Sequence, residues 1–167
     1  VLHDGSFNHF VTDINYNEKG QRLEIVYGNN LKTTYEYARE TFRLIHLRTS
    51  NTAISNLLQD LYYTYDPVGN LTQIEDKARP TIFFNNFETT PVNSFTYDSI
   101  YRLIEAHGRE HIAQVGFDSR DNWHDLPFLK QYSTNDSMAW RIYTQYYQYD
   151  EVGNIKQMRH DAPGGGW

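Results

Sequence analysis

The chain has 167 residues, no cysteine and a net charge of −6. Disulfide frameworks and thiolate chemistry are therefore excluded, and an acidic balance argues against a nucleic-acid footprint. Hydrophobic residues at 39% argue against disorder, and no apolar run approaches the roughly 20 residues of a membrane-spanning helix. Aromatic residues make up 16%, with 14 tyrosines, which favours pleated, half-buried strands. The chain starts at Val1 and stops at Gly-Gly-Gly-Trp167, so residues 1–167 read as one fragment cut from a longer protein.

In chain order, INYNEKGQRLEIVY (Ile14–Tyr27) reads as strand, polar turn and strand, with Leu23, Ile25 and Tyr27 alternating against Glu24 and Val26. Further strands are expected near Thr33–Tyr37 and Phe42–Arg48. NTAISNLLQDL (Asn51–Leu61) fits either a helical turn or a loop. YYTYDPVGNLTQIED (Tyr62–Asp76) is a second strand–turn–strand unit, followed by a strand near Pro80–Phe84. FTYDSIYRLIEAHG (Phe95–Gly108) is a third unit. Residues 118–139 lack a steady period and are expected to form a long connecting loop, where function can sit. YYQYDEVGNIKQMRH (Tyr146–His160) closes the chain with a fourth unit.

The turns carry a clear chemistry. YDPVGNL (Tyr65–Leu71) is restated as YDEVGNI (Tyr149–Ile155), 84 residues later. Asp66 and Asp150 suit the first turn position, where a carboxylate bonds to backbone amides, and Pro67 presets the next φ. Gly69 and Gly153 suit the left-handed position that ends a three-residue hairpin loop. Asn17 and Gly20 keep both features. Tyr101 stands where Gly is expected, which puts the left-handed turn in doubt at Asp98–Arg102. If the turn forms, its strain should be offset by packing of the ring. The starting tyrosines Tyr16, Tyr65, Tyr97 and Tyr149 lie 49, 32 and 52 residues apart, so a solenoid of fixed period does not fit.

These residues resemble the YD-repeat, or Rhs-repeat, family, named for Tyr-Asp followed by Gly, a polar and an apolar residue. The likeness is closer to one branch, the B and C shell components of bacterial Tc (ABC-type) insecticidal toxin complexes. It is carried by YDPVGNLTQIEDKARPTIFFNN followed by FTYDSIYRLIEAHGREH, and by QYYQYDEVGNIKQMRHDAPGGGW. It covers most of the chain from about Gln21. The resemblance implies an all-β, antiparallel, hairpin-rich curved sheet, a segment of a spiralling shell around a cytotoxic C-terminal cargo held unfolded. It implies secretion, and as partners the neighbouring shell segments and the cargo. The cargo-releasing aspartyl-type protease core would lie beyond Trp167 and the docking propeller upstream, so no catalytic residue carries over.

Chemistry from the residues themselves is sparse. HGREH (His107–His111) matches H-x-x-E-H, in which His107 and His111 hold zinc and Glu110 is the general base, but only on a helix. Gly108 and the alternating YRLIEA before it argue for a strand. His3-Asp4 and His124-Asp125 imitate a base with its orienting carboxylate, without a Ser or Cys nucleophile beside them. No catalytic, cofactor or metal residue is therefore expected, and the chain is read as a non-enzyme. The tyrosines Tyr63, Tyr65, Tyr147 and Tyr149 are ladder residues that could also contact a cargo or ligand. Two rivals remain: a carbohydrate-binding or adhesive cell-surface β module, and a small metal-dependent hydrolase built on His107, Glu110 and His111. Isolated from its neighbours, the fragment is expected to self-associate, by pairing of open sheet edges or by exchange of hairpins.

Overall fold

The computed structural model describes residues 9–112 and 136–166. Among the described residues the strands are β1 (Val11–Tyr16), β2 (Arg22–Tyr27), β3 (Leu31–Tyr37), β4 (Leu44–Asn51), β5 (Asn56–Tyr65), β6 (Leu71–Asp76), β7 (Ile82–Phe84), β8 (Phe87–Thr89), β9 (Val92–Tyr97), β10 (Leu103–His111), β11 (Trp140–Tyr149) and β12 (Ile155–Asp161). Ten of them form a sheet in the order β1-β2-β3-β4-β5-β6-β9-β10-β11-β12, and β7 with β8 forms a separate hairpin. The fold class is thus all-β and hairpin-rich, as the alternation and turn chemistry predict.

One stretch differs in part from the sequence reading. Only the first half of Asn51–Leu61 is a turn: it covers residues 52–55, and β5 begins at Asn56. The adjacent Leu57 and Leu58 disguise the period of two. Of the loop expected over 118–139, residues 118–135 lie outside the described residues, as do His3-Asp4 and His124-Asp125; residues 136–139 form a turn leading into β11.

Contacts divide the chain into two units, Val1–Tyr63 with Asp76–Ala78, and Thr64–Glu75 with Arg79–Trp167. In the first, Ile25 faces Thr33 and Thr33 faces Thr49 across β2, β3 and β4. Their hydroxyls meet at 3.0 Å, and Ile25 and Thr33 are buried. The opposite face is ionic. Lys32 pairs with Glu24 at 2.6 Å, and His46 lies between Glu36 and Asp60 while stacking on Tyr62. In the second unit one face of β9, β10, β11 and β12 carries Phe95, Ala106, Gly108, Glu110, Arg141, Tyr143, Gln145 and His160. The β7–β8 hairpin packs against β11. Among the described residues the buried hydrophobics are Ile25, Ile82, Ala106 and Ala139, while Ile14, Leu23, Ile45, Ile142, Ile155 and Met158 stay exposed. Sheet hydrogen bonds, side-chain ladders and turns therefore carry much of this fold's specification.

Candidate functional site

The repeated turn has one geometry in four copies. At Asp66 the backbone N–H donates to Asn70 O (3.0 Å), and Gly69 N donates to Asp66 O (3.1 Å). The same pair of bonds closes Asn17–Gln21, Asp98–Arg102 and Asp150–Asn154. This is a type I turn closed by a left-handed residue, the three-residue hairpin loop. The left-handed residues are Gly20 (φ 76°), Gly69 (113°), Tyr101 (68°) and Gly153 (96°). Each first residue also accepts at Oδ1 from the amide of the fifth: Gln21 (2.9 Å), Asn70 (2.8 Å), Arg102 (2.9 Å) and Asn154 (2.8 Å).

Tyr101 keeps the left-handed conformation despite its side chain, and at 59% exposure its ring is not packed. This corrects both doubts raised by the sequence: the turn forms, and its strain is not offset by ring burial. Compensation comes from Arg102. Its Nε donates to Asp98 Oδ2 at 2.7 Å, its Nη1 donates to Asp150 O at 3.3 Å, and its guanidinium lies 4.8 Å from the Tyr149 ring centroid.

The fifth turn residue is what sequence reasoning missed. Asn70 and Asn154 donate from Nδ2 to Oδ2 of Asp66 and Asp150, at 2.8 and 2.9 Å, and Arg102 does the same to Asp98. At Asn17 the polarity reverses: Asn17 Nδ2 donates to Gln21 Oε1 at 2.9 Å. A carboxylate thus takes a donor partner and an amide takes an acceptor, a pairing visible in the residue types. The effect registers on the acids. At Asp66 burial raises the carboxyl, but bonds from Asn70, Gly69 and Val68 outweigh it and hold the pKa below the usual range. Asp98 is lowered chiefly by the Arg102 amide, and Asp150 chiefly by the Asn154 side chain.

Three of the tyrosines that precede these turns tie neighbouring hairpins together. Tyr37 OH donates to Arg22 O at 2.9 Å, Tyr97 OH to Leu71 O at 2.8 Å, and Tyr149 OH to Leu103 O at 2.7 Å. Each acceptor is the first residue after the preceding turn. Tyr37 is therefore a repeat member that the sequence reading did not recognise, because Ala38 replaces Asp and its loop, 38–43, is one residue longer. Phe42 is left-handed there (φ 58°), with Lys19 Nζ over its ring. The other four loops of this kind span five residues each, whereas the connections β2–β3, β4–β5, β6–β9 and β10–β11 run from three residues to twenty-eight. The irregular spacing of the tyrosines arises in those connections and in strands of unequal length.

The H-x-x-E-H stretch lies in β10. Alternation puts His107 and His111 on one face and Glu110 on the other, with the two histidines roughly 13 Å apart along the strand. The geometry of a zinc hydrolase is therefore lost. Glu110 instead joins a buried network: Arg141 Nε donates to Glu110 Oε1 (2.8 Å), His160 Nε2 lies 3.1 Å from the same oxygen, and Arg141 Nη1 donates to Pro163 O (2.7 Å). His160 stacks on Tyr143, whose hydroxyl burial pushes up in pKa, helped by Tyr147 and Glu110. A Cβ at Gly108 would meet the Asn93 and Tyr143 side chains, which would have to shift to admit it. His107 bonds outward to Thr144 and Glu105, and His111 to Asp136 O.

The four tyrosines singled out for contact, Tyr63, Tyr65, Tyr147 and Tyr149, are half-buried. Tyr147 and Tyr149 share one face of β11; the first donates to Gln145 Oε1 at 2.7 Å, and the second forms a hairpin tie.

No family model matches the chain. Toxin subunits YenC2 and YenC1 of Yersinia entomophaga are each 39% identical to it, over 98% and 96% of its length. The chain spans 17% and 16% of those subunits. Among solved structures, the Photorhabdus luminescens Tc holotoxin pore covers 98% of the chain at a TM-score of 0.77 and 36% identity, over 7% of that chain. The TcdB2-TccC3 structure covers 100% at 0.78 and 34% identity, over 8% of that chain.

Proposed function

We propose that this chain, a relative of the Tc toxin subunits along nearly its whole length, builds part of the wall of a secreted toxin shell that encloses a cytotoxic C-terminal cargo. The observation that carries the reading is that almost all of the chain superposes on the Tc holotoxin at 36% identity. The tied hairpins agree with a wall role: they are devices for extending a sheet, and the strand geometry of His107, Glu110 and His111 offers no hydrolytic centre. The segment performs no catalysis of its own. Its partners are neighbouring shell segments and the unfolded cargo.

The cargo-facing surface is assigned to the half-buried rings of Tyr63, Tyr65, Tyr147 and Tyr149. Such rings offer apolar area with little rotamer freedom to lose, which suits an extended peptide of varied sequence. A glycan platform is less well supported, because the Tyr147 and Tyr149 hydroxyls already donate within the fold. The test uses the full-length subunit assembled with its partner component, carrying a photoreactive phenylalanine analogue at Tyr147 or Tyr63. Crosslinks to the C-terminal cargo are expected from these positions and not from Tyr146, on the opposite face of β11. Absence of cargo crosslinks from both would overturn the reading.

A further inference from the structure

The buried network around His160 has a fixed hydrogen-bond polarity. Glu110 pairs with Arg141 Nε at 2.8 Å, and a carboxylate can only accept. His160 Nε2, 3.1 Å from the same oxygen, must therefore carry a proton and donate. In a neutral imidazole the other nitrogen is then bare and can only accept. Beside Nδ1, at 3.3 Å, stands the side-chain amide of Gln145, which must turn its N–H2 toward the ring. The amide oxygen is thereby aimed away, and there it accepts the Tyr147 hydroxyl at 2.7 Å. Donation thus runs one way, from Tyr147 through Gln145 and His160 to Glu110.

We infer that His160 is a proton-operated switch for the Tyr147 hydroxyl. A proton taken from solvent at Nδ1 gives the ring a second N–H, and that N–H faces the N–H2 of Gln145. The amide relieves the conflict by turning over: its oxygen accepts from Nδ1, and its N–H2 donates to the Tyr147 oxygen. Tyr147 changes from donor to acceptor, and its O–H is released to an acceptor outside the network. Every member keeps its neighbour, so the reversal runs inside the fold. His160 is 3% exposed, so its neighbours govern the response. Glu110 on β10 favours the imidazolium, and Arg141 on β11 opposes it. Tyr143, also on β11, stacks on the ring at 5.2 Å as a phenol that burial keeps neutral. On β12 itself, Arg159 and Asp161 point to the opposite face and pair with each other at 3.1 Å. That the released hydroxyl meets a carbonyl of the enclosed cargo rests on the shell reading; the switch itself does not.

Fluorine NMR of the full-length subunit, assembled with its partner component and carrying 3-fluorotyrosine in place of Tyr147, tests it. Spectra are taken from about pH 7.5 to about pH 5, the span in which an imidazole is the side chain that changes charge. The resonance should move along a one-proton curve. It should stay flat in His160→Gln, whose amide keeps a donor for Glu110 but takes up no proton. Gln145→Met leaves His160 on Glu110 and cuts the relay, so the movement should be lost there as well. A flat trace in the unsubstituted network, or movement that survives undiminished in either variant, overturns the inference. Loss of the cargo crosslinks with this titration intact would overturn the shell reading and leave the switch standing.

Discussion

A left-handed tyrosine with an exposed ring is an unusual choice at Tyr101, and its cost is readable. A non-glycine residue in this region is strained by about 1 kcal/mol or more, with no ring burial to offset it. Tyr101→Gly should therefore raise the denaturant midpoint, by about 1 kcal/mol less the extra backbone freedom gained by the unfolded chain. Gly153 shows the converse. Nothing lies within 4 Å of an added Cβ, so the cost of Gly153→Val is conformational, about 1–3 kcal/mol in the same measurement. The turn acids add a pH signature. Asp66, Asp98 and Asp150 have pKa values lowered by folding, so their contribution is complete above the unfolded aspartate value near 4. It disappears as pH falls through the folded values. Thermal melts should show stability dropping below about pH 4, with a shallower drop in Asp150→Asn.

At the level of strands and hairpins, the hydroxyl ties and the buried network hold neighbouring pieces in place. Tyr97→Phe and Tyr149→Phe each remove one hydroxyl bond and should cost about 1 kcal/mol by urea titration. Glu110→Ala is more damaging, because it removes the buried carboxylate that Arg141 and His160 share; about 3 kcal/mol is expected, with local opening of β10–β12 seen by hydrogen exchange. Much of this level was legible in the residues. The Asx and Gly positions announce the turns, and the alternation around Tyr143–Tyr149 announces β11. Three things were not legible. Leu57 and Leu58 side by side concealed the start of β5. Ala38 concealed a fifth turn, because the sequence signal is the side chain whereas the backbone needs only the left-handed residue. The Glu110 network joins residues up to 50 positions apart, and no local pattern encodes the partner of a residue in another strand.

At the scale of the whole molecule, few apolar side chains among the described residues are withdrawn from water, and several large ones remain exposed on strands. Unfolding should accordingly expose less new surface than in a compact domain of equal length, and the urea m-value should fall below that of such a domain. The same sheet separates what must stay constant from what is free to vary. Five hairpin loops of five or six residues fix the spacing at the tyrosine-tied ends of the strands, while the connections at the other ends range from three residues to twenty-eight. Natural variants should consequently gain or lose residues almost entirely in that second group, where the β7–β8 hairpin already sits as an insertion between β6 and β9. A foreign peptide placed after Gly28 or Thr52 should be accommodated as an appendage, whereas a single residue added to Asp150–Asn154 would put Tyr149 and the strand that follows out of step.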